Sequence, residues 1–273
     1  MLIRFGFDIE FDFPASSVVT CMLYTHPMVA RSLLKPDELA TDPNLRVHTY
    51  WDSFGNRCGR IVAPAGPLRL TTDSVLLDTG LPDIVVQDAR QLPVEDLPDA
   101  TLTYLLGSRY CEVDRFSGLA WELFGATPPG WRRVQAVCDW VHAHVGFNYK
   151  LTNPSKSAWD VYMEKTGVCR DFQHLAITLC RCLNIPARYA TGYLGDIGVP
   201  VSADPMDFSA WFQVYLDGRW YDFDARNNQP RIGRILMATG RDAVDVALTI
   251  SFGVADLKKF VVWTDDITDS PQR

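Results

Sequence analysis

The stretch Gly167-Val168-Cys169-Arg170-Asp171-Phe172-Gln173-His174-Leu175 does most to limit what this chain can fold into. From Cys169 onward, apolar residues recur at Phe172, Ala176, Leu179, Cys180 and Leu183, the three-and-four spacing of one helix face. Asn184 and Pro186 end the run, because proline has no N–H to give and restricts the residue before it. Cys169 is therefore expected at a helix N-terminus. Unpaired N–H groups there carry partial positive charge and favour thiolate over thiol. Thiolate is the reactive form, so the position suits a nucleophile. A buried cysteine that merely starts a core helix is the competing reading.

The rest of the chain divides by its periodicity. Leu2 to Phe13 alternates, with Ile3, Phe5, Phe7, Ile9 and Phe11 on one side, which predicts a half-buried strand. Ser17–Tyr24, Arg46–Trp51, Arg57–Ala63 and Leu68–Leu77 read as further strands, with Asp52 to Asn56 as a turn. Residues 82–98 carry three prolines and several acids and read as a linker. Helices follow: Ser117–Phe124, Trp131–Val145, one that starts at Ser157 as cap, and the Cys169 helix. After Pro186 the period returns to two. Ala187–Leu194 is a strand, and Ala210–Leu216 with Arg219–Phe223 flanks Asp217-Gly218, a strong hairpin signal. Val244–Phe252 and Lys259–Thr264 are later strands. These changes predict α+β, with an all-β sandwich-like domain over 1–92 and a second domain over 93–273.

Charge and cysteine usage exclude several roles. The net charge of −7 and the lack of any Lys/Arg block argue against nucleic acid as a partner. Met1 to Asp8 does not read as a signal peptide, and no segment is long and apolar enough to span a bilayer, so no membrane association is expected. The seven cysteines are odd in number and irregular in spacing. They do not form a disulfide framework, and a reducing cytoplasm is the simplest location.

Motif order adds a resemblance. Gly167 to Phe172, a helix, then Asn184-Ile-Pro-Ala-Arg-Tyr-Ala-Thr-Gly-Tyr193, Ala210 to Tyr215 and Gly218 to Asp224 together resemble the core of bacterial transglutaminase-like proteins, part of the papain-like cysteine protease superfamily. The resemblance implies a transglutaminase-like core in which the nucleophile helix packs on an antiparallel sheet, after an N-terminal β domain. It implies cysteine-dependent chemistry: hydrolysis of an amide in a peptide or protein, or transfer of the acyl group to an amine, with no cofactor and no metal. Cys169 falls on the nucleophile position and Asp224 on that of the aspartate that orients the imidazole. The family's histidine position falls on Ser209, in Asp207-Phe208-Ser209-Ala210-Trp211. A hydroxyl does not exchange a proton near neutral pH as imidazole does, so the triad is incomplete. The alternative function is a non-catalytic peptide-binding or scaffold module.

No histidine lies C-terminal to the Cys169 helix. His174 sits five residues beyond Cys169, ~140° round the helix, and is expected to point away. Cys138 and His142 share a helix and could contribute to a metal site, but two candidate ligands are weak evidence for one, and a partly exposed helix end explains them better. Trp159, Asp171 and Trp211 are candidates to wall a substrate cleft. Core packing explains the two tryptophans equally, and a first-turn role explains Asp171. Proton transfer would fall to Ser209 through a water, to Asp224 directly, or to a histidine brought in by the fold.

Overall fold

The computed structural model describes residues 1–149, 153–202 and 205–268. Its first part is β1 (Leu2–Phe13), β2 (Ser17–Cys21), β3 (Leu33–Lys35), β4 (Ala40–Asp42), β5 (His48–Trp51), β6 (Arg57–Ala63) and β7 (Gly66–Leu77). Helices α1 (Asp99–Leu102), α2 (Val113–Phe124) and α3 (Trp131–His144) follow, then β8 (Gly146–Phe147), α4 (Ala158–Glu164), β9 (Thr166–Gly167) and α5 (Cys169–Cys182). The chain continues through β10 (Ala187–Leu194), β11 (Ser209–Leu216), β12 (Arg219–Phe223), β13 (Arg234–Gly240), β14 (Thr249–Ser251) and β15 (Asp256–Asp266). The architecture is α+β.

Two antiparallel sheets form the β unit. One runs β15-β1-β7-β3, with β4 also on β7, and the other runs β14-β2-β6-β5. Alternation in β1 turns Ile3, Phe5, Phe7 and Ile9 inward against Val19, Cys21, Ile61, Leu68 and Leu70. The expected division at residue 92 does not separate the sheets. β15 pairs along β1 from Ile3↔Asp266 to Asp12↔Asp256, and β14 pairs with β2. The physical reason is that β1 is apolar and needs ladder partners on both edges, and the C-terminal strand supplies the second.

The third sheet, β12-β11-β10-β13, carries α5 on one face. Helices α2, α3 and α4 close over α5, so every residue from Asp171 to Cys182 is buried. The sequence marks one apolar face; the fold covers all of them. Several of the polar side chains trapped by this are answered internally, although His174 Nδ1 finds no partner among the described residues. Arg181 donates to Ala187 O and Leu106 O, and Thr178 Oγ1 to His174 O at 2.6 Å. His174 Nε2 accepts from Ala243 N at 3.2 Å, as a buried helix histidine.

Tyr193, Phe208, Ile235 and Met237 of and beside this sheet enter the apolar interior of the β unit. Phe5 meets Tyr193 edge-on at 4.9 Å between ring centroids. Residues 82–98 are a strap rather than a loose linker. Asp83 N donates to Arg231 O, Ala89 O accepts from Trp131 N, Arg90 pairs with Asp217, and Gln91 Nε2 donates to Leu183 O. The hairpin forms as its sequence predicts, with Asp217 at φ 46° and Gly218 at φ 84°. Of Val244–Phe252 only Thr249–Ser251 is strand, because Asp242 and Asp245 hold the preceding turn by accepting from Val244 N and Arg241 N. β13 has no counterpart in the sequence reading.

Phe5 is fully buried at the seam between the β unit and the third sheet. Phe5→Ala is expected to cost about 3–5 kcal/mol. Because both cores share that seam, urea unfolding followed by circular dichroism and by tryptophan fluorescence should shift together; separate midpoints would contradict a shared core.

Candidate functional site

The N-terminus of α5 is fixed by Asp171. Its Oδ2 accepts from Val168 N at 3.0 Å, and its Oδ1 accepts from Arg170 Nε at 3.1 Å and Arg170 Nη2 at 2.9 Å. Gly167 is needed for this, since a Cβ there would lie 2.7 Å from Asp171 Cβ. β8 and β9 pair in parallel, Phe147 opposite Gly167, and set Phe147 beside the helix start. Asp171 is thus the lock that holds Cys169 in place, fully buried, and not a wall of the cleft.

Cys169 is half-buried and opens on a two-lobed cleft. One lobe, about 120 Å³, is lined by Phe147, Tyr149, Leu194, Asp196, Met206 and Arg226. The other, about 240 Å³, is lined by Arg170, Tyr189, Thr191, Val246 and Leu248. Cys169, Asp207, Phe208 and Ser209 belong to both. The structure therefore brings together Cys169 and Ser209. Among the described residues no histidine lines either lobe.

The thiol differs from the sequence expectation. Burial pushes the Cys169 thiol above its ordinary value; Arg226 opposes that, and Asp207 adds to it. The magnitudes decide the outcome. A helix N-terminus contributes about 0.3–2 kcal/mol, roughly one pH unit. Burial is the larger effect, and the thiol is held above its ordinary value rather than below it.

Asp224 does not share the cleft. It lines a separate cavity of about 60 Å³ with Asp83, Trp131, Cys138, Asn228 and Arg234. Its Oδ1 accepts from Gln173 Nε2, Arg226 N and Asn227 N, each at 3.0 Å. Its Oδ2 accepts from Asn227 Nδ2 at 2.7 Å and Arg234 Nη2 at 3.2 Å. Burial alone would raise this carboxyl; Arg234, Asn227 and Gln173 together outweigh it and hold it below 3.8. Gln173 also donates to Ala210 O at 3.2 Å, so one side chain joins the nucleophile helix, the strand of Ser209 and Asp224.

The two tryptophans are packing residues, because each ring finds its partners away from the cleft. Trp211 is 1% exposed, its Nε1 donates to Asp222 Oδ1 at 2.8 Å, and Arg234 lies 5.1 Å from its ring centroid. Trp159 packs on Phe116 and Tyr162, with Arg115 over its ring at 4.0 Å. Asp207 and Arg226, both in the cleft, were not singled out by the sequence. The signal for Asp207 was its place two residues before Ser209.

The transglutaminase-like superfamily model matches residues 118–225, from α2 through the hairpin, which includes Cys169, Ser209 and Asp224. A solved structure from Cytophaga hutchinsonii, described as a "Putative Cysteine Protease", shares 29% identity at a TM-score of 0.85, over 100% of this chain and 92% of that one. An uncharacterized protein of Mycobacterium leprae is 26% identical over 220 residues, 77% of each chain.

Asp224→Asn leaves the buried Arg234 with Asp83 as its remaining carboxylate partner and is expected to cost about 3 kcal/mol at pH 7. A carboxyl held below its unfolded value contributes stability that is present above that value and lost as pH falls through the folded one. The gap between wild type and variant in urea unfolding should therefore shrink from pH 7 to pH 3. A gap independent of pH would contradict this role for Asp224.

Proposed function

Residues 118–225 belong to the transglutaminase-like superfamily, and from that premise we propose that the protein is a cysteine-dependent acyl-transfer enzyme with an incomplete triad. It hydrolyses an amide of a peptide or protein, or passes the acyl group to an amine. The observation that carries this is the place of Cys169: first residue of a fully enclosed helix, with its sulfur open to a cleft. The other six thiols are buried.

The chemistry follows from that position. Sγ attacks the carbonyl carbon while the backbone N–H of Cys169 and the first turn of α5 face the developing oxyanion. Loss of the amine leaves a thioester on Cys169, which water or a second amine then resolves. Each bond is made by sulfur, oxygen or nitrogen, so the reaction calls for no cofactor and no metal. The acidic balance of the chain fits a peptide or protein partner, with no nucleic acid and no membrane. Seven free thiols fit a cytoplasmic location. Among the described residues no helix is long and apolar enough to cross a membrane.

A second reading has its own support. Ser209 at the histidine position and a thiol pushed up by burial favour a peptide-binding or scaffold module that keeps the cleft without turnover.

Iodoacetamide at neutral pH separates the two. As an enzyme, the protein should alkylate first at Cys169. Cys180 is fully buried, and burial raises the Cys182 thiol to about 11. Mass spectrometry showing Cys169 no faster than Cys180 or Cys182 would remove the nucleophile. Ser209→His places an imidazole in the same cleft as the sulfur. It is expected to raise turnover of an activated ester about 100-fold; an unchanged rate would favour the binding module.

A further inference from the structure

We propose that Asp207 carries the protons of the Cys169 reaction, in the place that imidazole holds in a complete triad; this rests on the reading of Cys169 as nucleophile. Asp207 lines both lobes of the cleft together with Cys169 and Ser209. Its carboxylate is held from two sides. Tyr149 Oη donates to Oδ2 at 2.9 Å, and Phe208 N donates to Oδ1 at 2.6 Å. These leave lone pairs on both oxygens, since a carboxylate accepts about four hydrogen bonds.

The other carboxylates near the sulfur are engaged elsewhere. Asp171 serves Val168 and Arg170. Asp224 serves Gln173, Arg226, Asn227 and Arg234 from a separate cavity. Asp196, which accepts from Ser202 N at 2.7 Å and lies 3.8 Å from Arg231, lines one lobe only, whereas Asp207 lines both. The titratable and charged groups that face the cleft with Asp207 are Tyr149, Cys169, Arg170, Tyr189, Asp196 and Arg226. Burial pushes the Asp207 carboxyl up, against the opposing bonds of Tyr149 and Phe208. That moves a carboxylate toward the range in which it can both take and return a proton.

The steps balance. As Sγ bonds to the carbonyl carbon, the thiol proton passes to Asp207. As the C–N bond breaks, the same proton passes from Asp207 to the departing amine, leaving a thioester. Water then bonds to the acyl carbon and gives a proton to Asp207. The C–S bond breaks, the acid leaves, and the proton returns to sulfur.

Asp207→Asn separates this role from a merely structural one, because its two effects on the cysteine have opposite sign. The negative charge of Asp207 helps to hold the thiol up. Its removal should make alkylation of Cys169 by iodoacetamide faster at a given pH. Steady-state turnover of p-nitrophenyl acetate should nevertheless fall about 100-fold, because the attacking thiol and then the attacking water both lose their base. In wild type, turnover should fall as pH drops through the Asp207 value, an acid limb above the ordinary 3.8 that the variant lacks. Tyr149→Phe removes a bond that lowers Asp207, and should move that limb to higher pH. Turnover that survives Asp207→Asn, or alkylation and turnover lost together, overturns the role of Asp207 and leaves Cys169 in place. A wild type with no acyl burst removes the nucleophile reading itself, and this proposal with it.

Discussion

A carboxylate and a guanidinium buried side by side, Asp224 and Arg234, set the terms for the rest of the molecule. Taking both charges out of water costs several kcal/mol for each, and their attraction offsets this only when the remaining lone pairs and protons find partners. The partners come from distant parts of the chain. Gln173 arrives from α5, the backbone N–H groups of Arg226 and Asn227 from the turn after β12, and Asp83 from the strap. A segment rich in proline and acid, with no period of its own, is ordered because Asp83 answers both Arg234 and the N–H of Arg231. The pair thus joins helix, hairpin, β13 and strap at one point, behind the cleft rather than in it.

How much of this could be read from sequence depends on how local each cause is. The start and stop of α5 were legible because Gly167, Cys169 and Pro186 act through near neighbours. The hairpin at Asp217-Gly218 was legible because two residues in succession must accept positive φ. The Ser157 cap was legible because a capping serine acts on N–H groups only a few residues on, and its side chain does accept from Asp160 N. What escaped was non-local. β13 follows a glycine at φ 78° and carries a charged residue at its start, and its Arg234 has meaning only beside Asp83 and Asp224. The return of β15 to β1 spans almost the whole chain and leaves no short-range mark. Asp171 and Trp211, which look exposed to chemistry by their position, are drawn inside by partners that a linear reading does not show.

The cleft itself records a competition that sequence position alone decides wrongly. A helix start favours thiolate, and Arg226, which lines one lobe of the cleft, opposes the rise of the thiol. Enclosure by Phe147, Phe208 and Tyr189 and the like charge of Asp207 press the other way. With burial the larger effect, the thiol is held above its ordinary value. An attack of the kind proposed would then need proton transfer in the same step as bond formation, which is slower than attack by a thiolate formed in advance.

On the proposed reading, a serine at the family's histidine position bears on Asp224 as well as on Cys169. In a complete triad the aspartate faces an imidazole, whose charge appears and disappears during the reaction, and the carboxylate works by answering that change. Here the cation against Asp224 is Arg234, which does not lose its proton in a protein. A charge that never varies gives the carboxylate nothing to respond to, and four further donor atoms hold it where it is. The pair can set the position of β13 and, through Gln173, the distance between α5 and the Ser209 strand. It cannot move a proton. Any group that does so must stand on the open side of the sulfur, be able to change charge within the range of pH at which the protein is folded, and keep a free lone pair. Serine fails the second condition, and the buried aspartate fails the first and third. On the proposed reading that group is Asp207, which lines both lobes beside the sulfur and keeps lone pairs on both carboxylate oxygens.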